Sequence, residues 1–152
     1  LHYEDVVDQM FIQLDGLSFV ERAFQELRTK CHKAAYWSNS NAGYDRKGDT
    51  LRFGGYFCSC DERWGHEEWR LAERMQDIFT AVAHYETNTF GRFPAGFSEL
   101  LGYSDVSTSQ FQFPTCQKLV HLRMFKNGRV DLKFKTAALA KEFAETYLDF
   151  LC

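Results

Sequence analysis

Cys58-Ser59-Cys60, with His66 shortly after, is the grouping whose side chains could hold a metal. A structural zinc site needs four thiolate or imidazole ligands in a tetrahedron, normally delivered as paired knuckles with two to four residues between the cysteines. One intervening residue is too few for a knuckle, so Cys58, Cys60 and His66 would need a distant fourth ligand, and ordinary thiols are the simpler reading. No cofactor is expected, zinc being the one candidate. The acids Asp61, Glu62, Glu67 and Glu68 surround Trp64 in the same stretch. Such carboxylates beside a histidine suit general acid–base work or a divalent ion. They equally complement a helix N-terminus, and a helix is expected to begin here. His2, His32, His84 and His121 form no spaced pair that would make a metal helix.

The other candidate chemistry is electrostatic. Between Lys118 and Lys135 stand six Lys or Arg residues and one Asp, whereas the first thirty residues hold six acids against three bases. A cationic strand pair with an exposed Phe125 is the combination that tracks phosphates and stacks on a base. Arg123, Phe125, Lys126, Arg129, Lys133 and Lys135 are the expected contacts. A solvated strand face whose lysines block edge-to-edge aggregation accounts for the same residues without a ligand.

The whole-chain balance restricts that idea. The 152 residues carry a net charge of -3 with pI near 6.0, which excludes a general polyanion binder, so any DNA or RNA contact must be local. At 45% hydrophobic and 16% aromatic residues, one core can form and the chain should fold unaided. The apolar runs are too short to span a bilayer, and Leu1-His2-Tyr3-Glu4-Asp5 has no basic or apolar leader pattern. With five cysteines, an odd number, a reducing, cytoplasmic setting and a soluble protein without membrane contact are expected. A first residue other than Met points to a piece excised from a longer chain. There is no Gly-rich phosphate loop, Rossmann fingerprint or nucleophile elbow, and the length is too short for the alternating strands and helices of a methyltransferase core.

The elements that must position these residues follow from periodicity. Val6, Val7, Met10, Phe11 and Leu14 recur at helical spacing before Asp15-Gly16, and Ser18 with Glu21 forms a capping box ahead of a stripe through Phe24, Leu27 and Cys31. The two helices, within residues 1–36, should pack antiparallel. Residues 37–49 read as an exposed loop. Residues 50–85 should hold a strand over Thr50 to Phe57, with a bulge or close backbone approach at Gly54-Gly55, and a long central helix from about His66 to Tyr85. Residues 86–112 form an irregular connector with one helical turn near Phe97 to Leu101.

Residues 113–152 close the chain as a ββα unit. A two-residue turn at Asn127-Gly128 would mix apolar and charged residues on both faces. A three-residue loop, Lys126-Asn127-Gly128 with Gly128 left-handed, pairs Met124 with Val130, Leu122 with Leu132 and Val120 with Phe134, so one face is wholly apolar. Leu119, His121, Arg123, Phe125, Arg129, Asp131, Lys133 and Lys135 then face outward, with Arg123 across from Asp131. Thr136 should cap a last helix whose stripe, Leu139, Ala140, Phe143, Tyr147, Leu148 and Leu151, covers the inner side. The fold class is therefore α+β: one domain over 1–152 with an N-terminal helical pair, a central long helix, a small antiparallel sheet and the terminal ββα unit.

The run from His121 through Phe125-Lys126-Asn127-Gly128 to Phe134-Lys135, followed by Leu139, resembles the C-terminal signature of a bacterial domain family of no established activity, carried on phages, plasmids and integrated elements. Its pattern is a strand, Phe-Lys-Asn-Gly, a second strand ending in Phe-Lys, and a helix. Thr87-Asn88-Thr89-Phe90-Gly91 echoes a second segment. The family usually has Asn and His where this chain has Arg129 and Asp131. Some members are joined to adenine-specific DNA methyltransferase modules, so the resemblance implies an accessory protein of a mobile element acting near DNA or its modification. The expectation is thus a non-enzymatic binding module whose partner is DNA, RNA, a DNA methyltransferase or another protein. A small metal-dependent or zinc-supported domain around Cys58, Cys60 and His66 and a purely protein–protein module are the alternatives.

Overall fold

A computed structural model describes residues 19–36, 43–102 and 105–149. The expected first helix over Leu1 to Leu14, its packing, the Ser18 cap and Leu151 lie outside the described residues. The fold is α+β, and among the described residues no helix is long and apolar enough to cross a membrane. Helix α1 covers Phe19–Ala35, with its buried end at Cys31, Ala34 and Ala35. Two short strands follow, β1 (Tyr44–Lys47) and β2 (Thr50–Phe53). Part of the expected loop is therefore a strand: Tyr44 packs on Phe53, with ring centroids 5.6 Å apart, and this apolar pairing at the sheet edge overrides the polar composition around it. The strand expected to reach Phe57 stops at Phe53.

The largest departure lies at 58–72. Strands β3 (Cys58–Arg63) and β4 (His66–Leu71) form a separate two-stranded hairpin, and helix α2 begins only at Glu73, running to Thr87. The expected helix start at His66 is wrong because Trp69 and Leu71 satisfy their backbone and burial as strand residues. Leu71 faces Cys58, and the amide and carbonyl of Trp69 bridge to Val106 at 2.7 and 2.8 Å. Asp61, Glu62, Glu67 and Glu68 therefore complement no helix dipole. They face each other across a hairpin, Asp61 opposite Glu68 and Glu62 opposite Glu67.

A short helix, α3 (Phe97–Leu100), supplies the expected turn in the connector, and its Phe97 stacks on Phe79 of α2 at 4.1 Å. The connector ends in strand β5 (Gln110–Gln112), followed by β6 (Leu119–Met124) and β7 (Val130–Phe134). The main sheet is antiparallel throughout, in the order β1-β2-β7-β6-β5. The β6–β7 loop has the expected register: Phe125 N–H donates to the Arg129 carbonyl at 2.9 Å, Gly128 is left-handed, and Met124 pairs with Val130 and Leu122 with Leu132. One pairing differs. A bulge between Leu119 and His121 sets Leu119, not Val120, opposite Phe134 and turns Leu119 fully into the core. The bulge lets three large apolar groups in β6 (Leu119, Leu122, Met124) reach the same buried side.

That buried side also receives Leu51, Phe53, Val130, Leu132 and Phe134, none of them measurably exposed. Each contributes on the order of 1.5–3 kcal/mol by leaving water. Helix α4 (Ala137–Phe143), capped by Thr136 Oγ1 accepting from Leu139 N–H, lays Phe143 on Phe134. It continues as a π turn over Ala144–Leu148. The carbonyls that this wider turn exposes are taken by α1 side chains: Arg28 Nε donates to Thr146 at 2.9 Å and His32 Nδ1 bonds Leu148. Asp149 beyond it accepts from the hydroxyls of Tyr36 and Tyr44, so α1, β1 and the last helix are locked together.

Candidate functional site

Because side chains alternate across a strand, the register defines what the outer face of the main sheet presents. One row reads Asp45, Arg52, Asp131, Arg123, Gln110 across β1, β2, β7, β6 and β5, and the next reads Lys47, Thr50, Lys133, His121, Gln112. Every position is polar, and no residue in either row is buried. The expected Arg123–Asp131 pairing is present.

The six expected contact residues split into two groups. Arg123, Lys133 and Lys135 are exposed, and among the described residues none has a carboxylate within ion-pair distance; the same holds for Lys47 at the end of β1. Phe125, Lys126 and Arg129 are committed elsewhere. Phe125 is half-buried, not the open platform expected, with the guanidinium carbons of Arg129 and Arg123 4.1 and 4.6 Å from its ring centre. The ring orients two arginines, which compete with a base for it. Arg129 also meets Asp131 at 3.1 Å. Burial pushes the Asp131 carboxyl above its usual range despite Arg129, Arg52 and Arg123 around it, and burial holds His121 below its usual value, helped by Arg123 and Lys133. Lys126 bonds Glu62 and lies 3.1 Å from Glu67, so its charge is spent on the β3–β4 hairpin.

The metal candidates are not brought together. Cys58 pairs with Leu71 at the base of the β3–β4 hairpin and His66 with Arg63 at its tip. Cys58 Sγ is directed at the carbonyls of Phe125 and Arg129, 3.3 and 3.4 Å away, and burial raises its pKa, which keeps it a thiol. Among the described residues no three His, Cys, Asp or Glu side chains converge.

A constellation with no signature in the sequence lies on the opposite, helical side. His84, near the C-terminal end of α2 and 9% exposed, has Nδ1 2.7 Å from the Tyr147 hydroxyl on the π turn. Its ring stacks on Phe24 of α1 at 5.1 Å and lies 4.6 Å from Phe90. Neighbouring Tyr85 donates its hydroxyl to Glu142 at 2.6 Å. Burial holds His84 below its usual value and raises Tyr85 and Tyr147. These groups come from four separate segments, and the one hint along the chain is a histidine on the buried stripe of α2. No family model matches this chain, and neither a curated protein nor a solved structure provides a relative from which any of these residues could be assigned a role.

Proposed function

We propose that the protein is a non-catalytic binding module that takes a nucleic-acid strand on the outer face of the main sheet, with Lys47, Arg123, Lys133 and Lys135 contacting phosphates. One observation carries this reading: Lys47, Arg123 and Lys133 stand on the polar outer rows of the sheet without a carboxylate partner among the described residues, and Lys135, exposed just beyond β7, is likewise without one. Arg52, Arg129 and Lys126, already paired, shape the surface without adding uncompensated charge. The resemblance of the β6–β7 segment to a mobile-element family fits an accessory role near DNA or a DNA-modifying partner. With Phe125 covered, the contact is with backbone phosphates, so little sequence preference is expected.

Titrating a fluorescent single-stranded oligonucleotide at several salt concentrations tests it. Binding should weaken with salt. Replacing Arg123, Lys133 and Lys135 together by Ala should flatten the log–log slope by about 2, since each neutralised phosphate adds roughly 0.7 to the slope on a single strand. Undetectable binding at low salt, or a slope unchanged in the triple variant, removes the proposal.

A further inference from the structure

Between α1, the C-terminal end of α2 and the π turn lies a cavity of about 690 Å3, within the roughly 300–1,000 Å3 that small-molecule sites occupy. Its walls are rings. Phe24, Phe90 and Tyr147 line it around His84, and Phe90 is 43% exposed at its mouth.

The polar groups are few and directed. Glu142 accepts from the Tyr85 hydroxyl through Oε1, and among the described residues its second oxygen takes no hydrogen bond. His84 uses Nδ1 on Tyr147, and Nε2 has no partner among the described residues. The one lysine at the rim, Lys118, is engaged: its Nζ donates to the Tyr85 carbonyl at 2.9 Å and sits 3.9 Å from the centre of that ring. Two carboxylates, Glu21 and Glu142, share the lining with it. Aromatic walls favour a flat ring. The unused oxygen of Glu142 favours an N–H or O–H donor and disfavours a phosphate or carboxylate beside it. His84, held neutral by burial, adds no cation to attract one.

We infer that this cavity binds a small uncharged aromatic molecule of one or two rings bearing a hydrogen-bond donor, its ring against Phe90 and Tyr147 and its donor on Glu142. The site faces away from the sheet surface proposed for nucleic acid and does not depend on that reading.

Three probes separate the elements of the inference: indole, N-methylindole, which lacks the donor, and indole-5-carboxylate, which adds the charge. In amide NMR titrations of the full chain, indole should move the resonances of His84 to Phe90 and Thr146 to Leu148. N-methylindole should bind about tenfold more weakly, the effect of losing one hydrogen bond to a charged group, and indole-5-carboxylate should also bind more weakly, through repulsion between its carboxylate and Glu142. Glu142→Gln, which keeps an acceptor for Tyr85, and Phe90→Ala, which removes a half-exposed ring, should each weaken indole binding several-fold with the remaining spectrum unchanged. No shift at millimolar indole, shifts only on the sheet's outer face, or equal affinity for the three probes would overturn the inference.

Discussion

The two hairpins of the molecule solve opposite problems. The β6–β7 pair sits in the middle of a five-stranded sheet with Leu119, Leu122, Met124, Val130, Leu132 and Phe134 buried on one side. Among the described residues the β3–β4 pair has no third strand; only its base, at Cys58, Trp69 and Leu71, is buried, and everything from Asp61 to Glu67 is exposed. Two strands alone are marginal in water, so the second hairpin depends on the first. Gly128 is where they join. Its carbonyl accepts from the amides of Phe57 and Cys58 at 2.9 and 3.2 Å, and Lys126 reaches across to Glu62 and Glu67. Stability in this region therefore flows from a hairpin held by burial to one held by hydrogen bonds and charge.

The buried hairpin should be the more sensitive of the two. Leu132→Ala should cost about 3–4 kcal/mol, the transfer term plus the cavity left among close-packed neighbours, measured by urea unfolding. At the junction, Gly128 has φ near +90°, and an added Cβ would lie 2.5 Å from the Tyr56 backbone nitrogen. Gly128→Ala should therefore cost about 2–3 kcal/mol through strain and overlap. It should also abolish amide protection in β3–β4 while lowering it only partly in β6–β7. Equal losses in both hairpins would mean that the junction is not the link.

The difference in burial also explains what is legible without a structure. In β6–β7 one face is buried, so apolar residues alternate with charged ones and a single loop length satisfies the pattern; the register, the Gly128 conformation and the Thr136 cap all follow from it. The bulge at Val120 escapes because Leu119 and Val120 are both apolar, and either could serve as the inward residue. In β3–β4 the exposed half offers no apolar alternation. Leu71 and Ala72 meanwhile run smoothly into the stripe of Met75, Ile78, Phe79 and Val82, so the helical period extends backward over what is a strand. The binding residues divide in the same way. Cations on an alternating strand are legible as a face, but which of them are already paired depends on Glu62, Glu67 and Asp131 meeting them in space. The aromatic cavity draws on segments far apart in the chain and leaves no local pattern.

At the tip of β3–β4 the effect should reverse sign. Trp64 is 95% exposed with φ near 55°, and Gly65 follows with φ near 78°. These are the positions of a two-residue turn that Asn-Gly fills without strain. Trp64→Asn should stabilise the protein by about 0.5–1 kcal/mol, since a bulky residue in that region is unfavourable and the exposed indole packs on nothing that would offset it. A loss of stability would reveal a packing role for the indole. A gain would leave its presence to be explained by contact with another molecule.

The smallest change concerns the link between the two hairpins. Lys126, by its hydrogen bond and its charge, holds the Glu62 carboxyl below its ordinary value of 4.5. A carboxylate with a depressed folded pKa contributes above its unfolded pKa and loses that contribution as pH falls through the folded one. Both groups are exposed, so global stability should barely move. The readout is local. Amide exchange at Asp61 to Glu67 should accelerate, relative to Leu122 and Leu132, as pH is lowered from about 5 towards 3 once the intrinsic pH dependence of exchange is divided out. Lys126→Met should reproduce that acceleration at about pH 6 and reverse its pH dependence, because Glu62 and Glu67 would then face each other as like charges without their shared counter-ion, a repulsion that protonation relieves. If the tip exchanges identically in both proteins across this range, the ion pair does not hold the second hairpin, and the backbone bonds at Gly128 and Val106 hold it alone.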